Sequence, residues 1–168
     1  QKIIQGPNPI HYNTVYFLYI LCQSIIGKAK SKTVAEVGTG RGFSTIWLAE
    51  AAKNIEESYI FDIEPDGVEY AKRFLKDLEL SNICEIICGD AKECGRLIEE
   101  DLALLFIDDL REKYFEYFKS FEGKLIEGSL FLAHNTVSHP YKMANYIRKV
   151  YSRGFCRLQL WLIQEILL

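Results

Sequence analysis

The apolar positions change period several times along the chain, and each change marks an element. Val15, Leu18, Tyr19, Cys22 and Ile26 recur at helical spacing and predict an amphipathic helix over Ile10 to Ile26. Gly27 and the basic run Lys28-Ala29-Lys30 end it. Val34, Ala35 and Val37 form a short apolar run, read as a strand. Gly38, Gly40 and Gly42 follow, and Phe43, Ile46, Trp47 and Ala51 then return to helical spacing until about Lys53. A second strand is expected over Tyr59 to Phe61, ending in Asp62. Pro65 and Asp66 open a helix with an apolar face of Ala71, Phe74, Leu75 and Leu78. Ile83 to Cys88 reads as a third strand, followed by Gly89-Asp90 and a short helix from Ala91 to about Glu99.

Leu102 to Ile107 is apolar throughout, the pattern of a strand covered on both faces, and ends in Asp108-Asp109. Arg111 to Phe121 is helical, with Tyr114, Tyr117, Phe118 and Phe121 on one stripe. Gly128 to Ala133 gives a fifth strand ending in His134-Asn135. Pro140 opens a helix to about Ser152, and Gly154 breaks it. Phe155 to Ile163 and Glu165 to Leu168 read as two last strands. Strand and helix thus alternate, which predicts an α/β fold: a doubly wound, mostly parallel sheet with helices on both faces. Residues 1–168 make one domain, with a lead and helix over 1–27 and the core over 33–168.

Composition adds three things. With 49% hydrophobic residues, ten Tyr and ten Phe, the chain can bury a full core without staples. A net charge of −3, with both signs interspersed, argues against nucleic acid as a partner. Five cysteines at irregular spacing, with no signal-like segment and no membrane-length apolar run, point to free thiols in the cytoplasm and to no membrane partner. Cys84 and Cys88 would stand about 13 Å apart on a strand, too far to share a metal, so with Cys94 they read as core thiols.

The glycine turn carries the chemistry. Glycines let a backbone turn tightly and approach a ligand, and the following helix offers its free N–H groups there. Dinucleotide folds place a third glycine where this chain has Phe43, which counts against a NAD-type domain. Val34-Ala35-Glu36-Val37-Gly38-Thr39-Gly40-Arg41-Gly42 instead resembles the first motif of class I S-adenosylmethionine (SAM) methyltransferases, which have a Rossmann-like fold. Phe43-Ser44-Thr45 looks like their small-molecule O-methyltransferase branch, the catechol and caffeoyl-CoA group. The resemblance runs from about Ile10 to Ile163, and in that family the last strand is antiparallel.

Open α/β sheets bind ligands outside the carboxyl ends of their strands. Here those ends carry the glycine turn, Asp62, Asp90, Asp108 and His134-Asn135 in succession. An acid about 20 residues past the turn suits the ribose hydroxyls, which assigns Asp62, with Glu64 further round the turn. Asp90-Ala91 resembles the family's adenine contact, though Asp90 also reads as a helix N-cap. Glu36, Gly38, Thr39, Gly40 and Ser44 match positions near the methionine end, and Asp108 borders it.

The resemblance also implies a divalent cation, Mg²⁺ or Mn²⁺, held by an acid after the fourth strand and an Asp-Asn pair after the fifth. The matching residues are Asp108, His134 and Asn135, with His134 replacing the pair's Asp. A His134 acting as a general base is the other reading, so Asp108 and His134 are the catalytic candidates. Arg111 stands where the catechol branch has a lysine; it cannot be a base. His139 is read as an exposed turn residue, and His11 as outside the site. Tyr114 and Tyr141 are candidates to flank a pocket. The expected activity is SAM-dependent methyl transfer to a small-molecule oxygen; the alternative is a SAM-binding regulatory or partner protein. No large insertion walls off an acceptor, which makes a homodimer the sensible arrangement.

Overall fold

The computed structural model describes residues 10–26, 28–53, 60–63, 68–136 and 139–152. The first helix, α1 (Tyr12–Ile26), buries Val15, Leu18, Cys22 and Ile26, as its spacing requires. It is followed by β1 (Thr33–Val37), α2 (Phe43–Ala52), β2 (Ile60–Ile63), α3 (Val68–Asp77), β3 (Cys84–Ile87), α4 (Ala91–Cys94) and β4 (Leu102–Ile107). A 3-10 turn at Arg111–Lys113 leads into α5 (Tyr114–Phe121), then β5 (Leu125–Ala133) and α6 (Ala144–Ser152).

Among the described residues five strands form one sheet in the order β3-β2-β1-β4-β5. Every neighbouring pair is parallel. The chain winds outward from β1 to β3, then returns to β4 on the other side of β1. The direction of winding reverses between β1 and β4, and that is where an open sheet leaves a crevice. Alternation along the central strands sorts the core. Val34, Leu104 and Phe106 pack under α1, α2 and α3, with Leu18, Leu48 and Leu75. Ala35, Val37, Leu105 and Ile107 face the other way, against Tyr114, Tyr117, Phe118 and Phe121 of α5 and Tyr146 of α6. This is the period-two side-chain alternation of a strand seen from both faces.

Several boundaries differ from the sequence reading. Asp62 lies inside β2, paired in register with Glu36, where the sequence places it just past the strand. Tyr59, Glu64, Pro65-Asp66 and Gly27 lie outside the described residues, as do the two expected last strands and their antiparallel pairing. Leu78, expected on the buried face of α3, is exposed; Val68 takes part instead. Cys88 falls just beyond β3 and is exposed, so it is no core thiol. Helix α4 is a single turn rather than one reaching Glu99. Strand β5 starts at Leu125 and runs through Gly128, whose φ of +91° the glycine tolerates. Pro140 begins a turn, and α6 starts only at Ala144. Tyr114 is fully buried core rather than a pocket wall, whereas Tyr141 is 94% exposed and lines a surface groove of about 180 Å³ with Arg111 and Lys142.

Among the described residues no helix is long and apolar enough to cross a membrane. Burial pushes the Cys22 thiol up to about 12, which leaves it an inert core group. Phe118 is fully buried and its ring lies 5.1 Å from that of Phe131 on β5. Phe118→Ala is expected to cost about 3–5 kcal/mol of stability, measured by urea denaturation.

Candidate active site

The site is assembled by backbone bonds between strand ends. The Asp108 N–H donates to the Val37 carbonyl at 2.9 Å, and the His134 N–H to the Ile107 carbonyl at 2.9 Å. Consecutive loops of β1, β4 and β5 are therefore fixed to one another. Gly38 has a φ of +103°, and a Cβ there would collide with the Asp108 carbonyl. Only glycine serves where two loop backbones come this close. Gly40 differs: φ is +56°, yet a Cβ would meet nothing within 4 Å. Its side of the turn faces open space, room for a ligand's approach rather than for packing.

Around this turn the polar groups are sheltered. Glu36 is fully buried in β1, and the Thr45 hydroxyl of α2 donates to its Oε2 at 2.7 Å. That bond answers part of the cost of a carboxylate inside an apolar strand. Ser44 and Thr39 are each 4% exposed. The Thr39 Oγ1 is buried and has no hydrogen-bond partner among the described residues. A buried hydroxyl left without a partner is rare and calls for an explanation. The Arg111 Nε, just beyond β4, is in the same position.

The structure brings Asp108, His134 and Asn135 together. The His134 Nδ1 lies 2.9 Å from the Asp108 Oδ1. The Asn135 Nδ2 lies 3.5 Å from that same oxygen and 3.1 Å from the His134 Nδ1. Asn135 has a φ of +58°, a left-handed conformation that asparagine tolerates better than most residues. These three donors supply a single carboxylate. Among the described residues no three His, Cys, Asp or Glu side chains gather as a metal-holding group. Mg²⁺ prefers an all-oxygen shell, whereas a ligating imidazole typically bonds a carboxylate through its other ring nitrogen, an arrangement that the contact of His134 Nδ1 with Asp108 leaves open at Nε2. The cluster offers one carboxylate, one amide and one imidazole, so it departs from an all-oxygen cation shell by a nitrogen and one negative charge.

Other candidates settle into structural contacts. Both Asp90 oxygens are engaged: Oδ1 accepts from the Lys92 N–H at 3.0 Å and Oδ2 from the Lys113 ammonium at 3.1 Å. These bonds hold its carboxyl below the usual range, the Lys92 N–H contributing most. Ala91 is buried against the second face of the core. The His11 Nδ1 accepts from the Asn13 N–H at the start of α1. His139 is half-buried, and its N–H donates to the Asn135 carbonyl.

One contact was invisible in the sequence. The Tyr117 hydroxyl donates to the Asp109 Oδ2 at 2.6 Å, tying the loop after β4 to α5. Burial first, then this carboxylate, keep the Tyr117 phenol well above its ordinary range, so it remains a donor. The helical stripe marks Tyr117 as core, but nothing in it reveals that its far end reaches Asp109. A groove of about 700 Å³ between α3 and the start of β3 is lined by Lys72, Lys76 and Ile83. It lies at the opposite end of the strands from this cluster.

An open parallel sheet with its polar groups gathered at a switch point defines a doubly wound, ligand-binding α/β domain. The particular family follows from the match of residues 35–136 to the group described as methyltransferase domain. The chain belongs to that family. A catechol O-methyltransferase of Niastella koreensis is 28% identical over 125 residues, 72% of this chain and 55% of that enzyme. This chain thus spans about half the length of that curated relative. Among solved structures, the O-methyltransferase TomG of Streptomyces achromogenes, in complex with SAM, superposes with a TM-score of 0.71. The two are 19% identical, over 85% of this chain and 68% of that one. An O-methyltransferase of Bacillus cereus, in complex with S-adenosylhomocysteine (SAH), gives 0.73 at 20% identity, over 88% and 70%. At these identities the shared property is the fold.

Gly38→Ala is expected to lower stability by about 2 kcal/mol or more, because strained backbone and overlap with the Asp108 carbonyl add. Gly40→Ala is expected to cost less, since strain acts alone there. Thermal unfolding of the two variants checks the difference.

Proposed function

We propose that this chain binds SAM across the β1/β4 switch point and transfers its methyl group to an oxygen of a small-molecule acceptor. The observation that carries the reading is the orphaned Thr39 hydroxyl. It is buried in a glycine turn whose neighbour Gly40 faces open space. A ligand with polar groups at the turn would satisfy it, and membership of the methyltransferase-domain family says which class of ligand to expect.

In this reading Gly38, Thr39, Gly40 and Ser44 take the methionine end, with Glu36 beneath them and Asp108 at its border. Asp62, one residue before the end of β2, takes the ribose hydroxyls, since a carboxylate accepts from both. Asp90 shapes the base-binding end from its cap, and Ala91 packs behind it. The bound cofactor supplies a methyl group on a positively charged sulfur, which departs as a neutral thioether. The chain's own work is to hold the acceptor in line with that methyl group and to keep water away. The pairing of Asp109 with Tyr117 serves the first task, because it stiffens the loop next to Asp108.

Calorimetric titration of SAM and SAH tests this. The wild type is expected to bind both. Thr39→Val, which loses one hydrogen bond, is expected to bind about 2- to 12-fold more weakly. Asp62→Ala, which loses a charge-assisted pair of bonds, is expected to bind about 10- to 100-fold more weakly. Absence of binding by the wild type, or full affinity in both variants, overturns the reading.

A further inference from the structure

We propose that Arg111 takes an oxyanion group of the methyl acceptor, a carboxylate or a phosphate, in the groove between the loops that follow β4 and β5. The inference rests on the methyl-transfer reading above and names a class of acceptor for it, a hydroxyl compound that also carries an anionic group.

The groove is built by two loops that leave the sheet side by side. β4 and β5 are parallel neighbours, so the segments after Ile107 and after Ala133 emerge at the same end of the sheet. The first loop supplies Arg111 and Glu112, three and four residues past Asp108. The second supplies Tyr141 and Lys142, in the turn before α6. The Lys142 ammonium meets the Glu112 Oε1 at 2.8 Å and joins the two walls. The space between them is about 180 Å³, more than a trapped water needs.

Charge decides what this groove accepts. Its two acids are already paired, Glu112 with Lys142 and Glu116 with Lys92 at 3.8 Å. Among the described residues no carboxylate pairs with Arg111, and its Nε is buried without an acceptor. A guanidinium cannot shed its charge, so the mismatch stands at every working pH. Buried donors without a partner are few in native chains, and those on charged groups are the most costly. The fork of N–H groups matches two oxygens of a carboxylate or a phosphate. A second orphan lies in the same region. The Tyr114 side chain is fully buried, and its hydroxyl has no partner among the described residues. Asp108 and Arg111 both act on that phenol, in opposite directions, so the guanidinium and the site's carboxylate share one neighbourhood.

The groove also offers walls for a ring, the half-buried Phe115 and the exposed Tyr141. An acceptor anchored by its anion at Arg111 has its other end free to reach back along the loop toward Asp108. Arg111 is therefore a specificity residue, which binds the acceptor and takes no part in the bond changes.

Calorimetry on the SAH-saturated chain tests this with three probes that share one ring and one hydroxyl: 4-hydroxybenzoate, 4-hydroxyphenylphosphonate and the neutral 4-hydroxybenzamide. At least one anion is expected to bind about 10- to 100-fold more tightly than the amide. Which anion does so tells a carboxylate from a phosphoryl group. Arg111→Gln is expected to erase the preference. Arg111→Lys is expected to keep part of it, since the charge remains and the fork is lost. Equal binding of the three probes by the wild type, or no binding of either anion, overturns the proposal without any variant. So does a preference that survives Arg111→Gln. Weaker SAH binding by Arg111→Gln also overturns it, because Arg111 would then serve the cofactor's own carboxylate. Titration of the wild type with SAH alone keeps the two readings apart. No binding there sinks the methyl-transfer assignment, whereas normal SAH binding with no preference for an anion sinks only the role of Arg111.

Discussion

The contact on which the rest depends is the approach of Gly38 to the Asp108 carbonyl. It joins the loop that begins α2 to the loop that follows β4. Because Asp108 also donates its N–H to Val37, the two strand ends cannot slide past each other. The crevice between β1 and β4 is therefore a fixed feature of the backbone. Residues far apart in the chain, Thr39 and His134 among them, inherit their positions from it.

The two faces of the sheet play different parts in holding this point. Under α2, the buried Glu36 is bonded to Thr45, so a polar link runs from near the carboxyl end of β1 to the helix that begins at the glycine turn. Above, Tyr117 of α5 reaches Asp109, so an aromatic core helix holds the other loop. The aromatic groups that fill the second face also bring a phenol up to the site. On the first face, α1 lays Tyr12, Tyr16 and Tyr19 against Trp47 with ring centroids 5.5 to 6.2 Å apart. That packing steadies α2 from the outside.

Much of this was legible in the sequence, for local reasons. The stripes of α1 and α5, the unbroken apolar β4 and the glycine turn are patterns within a few residues of each other. The run of acids at strand ends followed from placing the strands. What was not legible depends on pairing between distant segments. Asp62 was read as lying past its strand because register with Glu36 is set by β1, not by the residues near Asp62. Leu78 looked buried because helical periodicity continues past the end of α3, where the chain has already turned away. Asp90 matched a binding motif, but Lys113, which occupies one of its oxygens, comes from another loop. The replacement of an acid by His134 was plain in the sequence. That its Nδ1 faces Asp108 was not, since ring orientation is a property of the assembled loops.

The strand order has a consequence for how the molecule comes into being. During synthesis β1, β2 and β3 emerge together and pair in sequence. The far edge of β1 then stays bare until Leu102–Ile107 has been made, because β4 is the partner that covers it. For that interval the nascent half-sheet presents unpaired amides beside the apolar Val34, Ala35 and Val37, a ready template for another chain. The switch point that serves a ligand in the finished molecule is thus the open seam of the unfinished one. Chaperone dependence and misassembly should concentrate on this seam rather than on the outer strands.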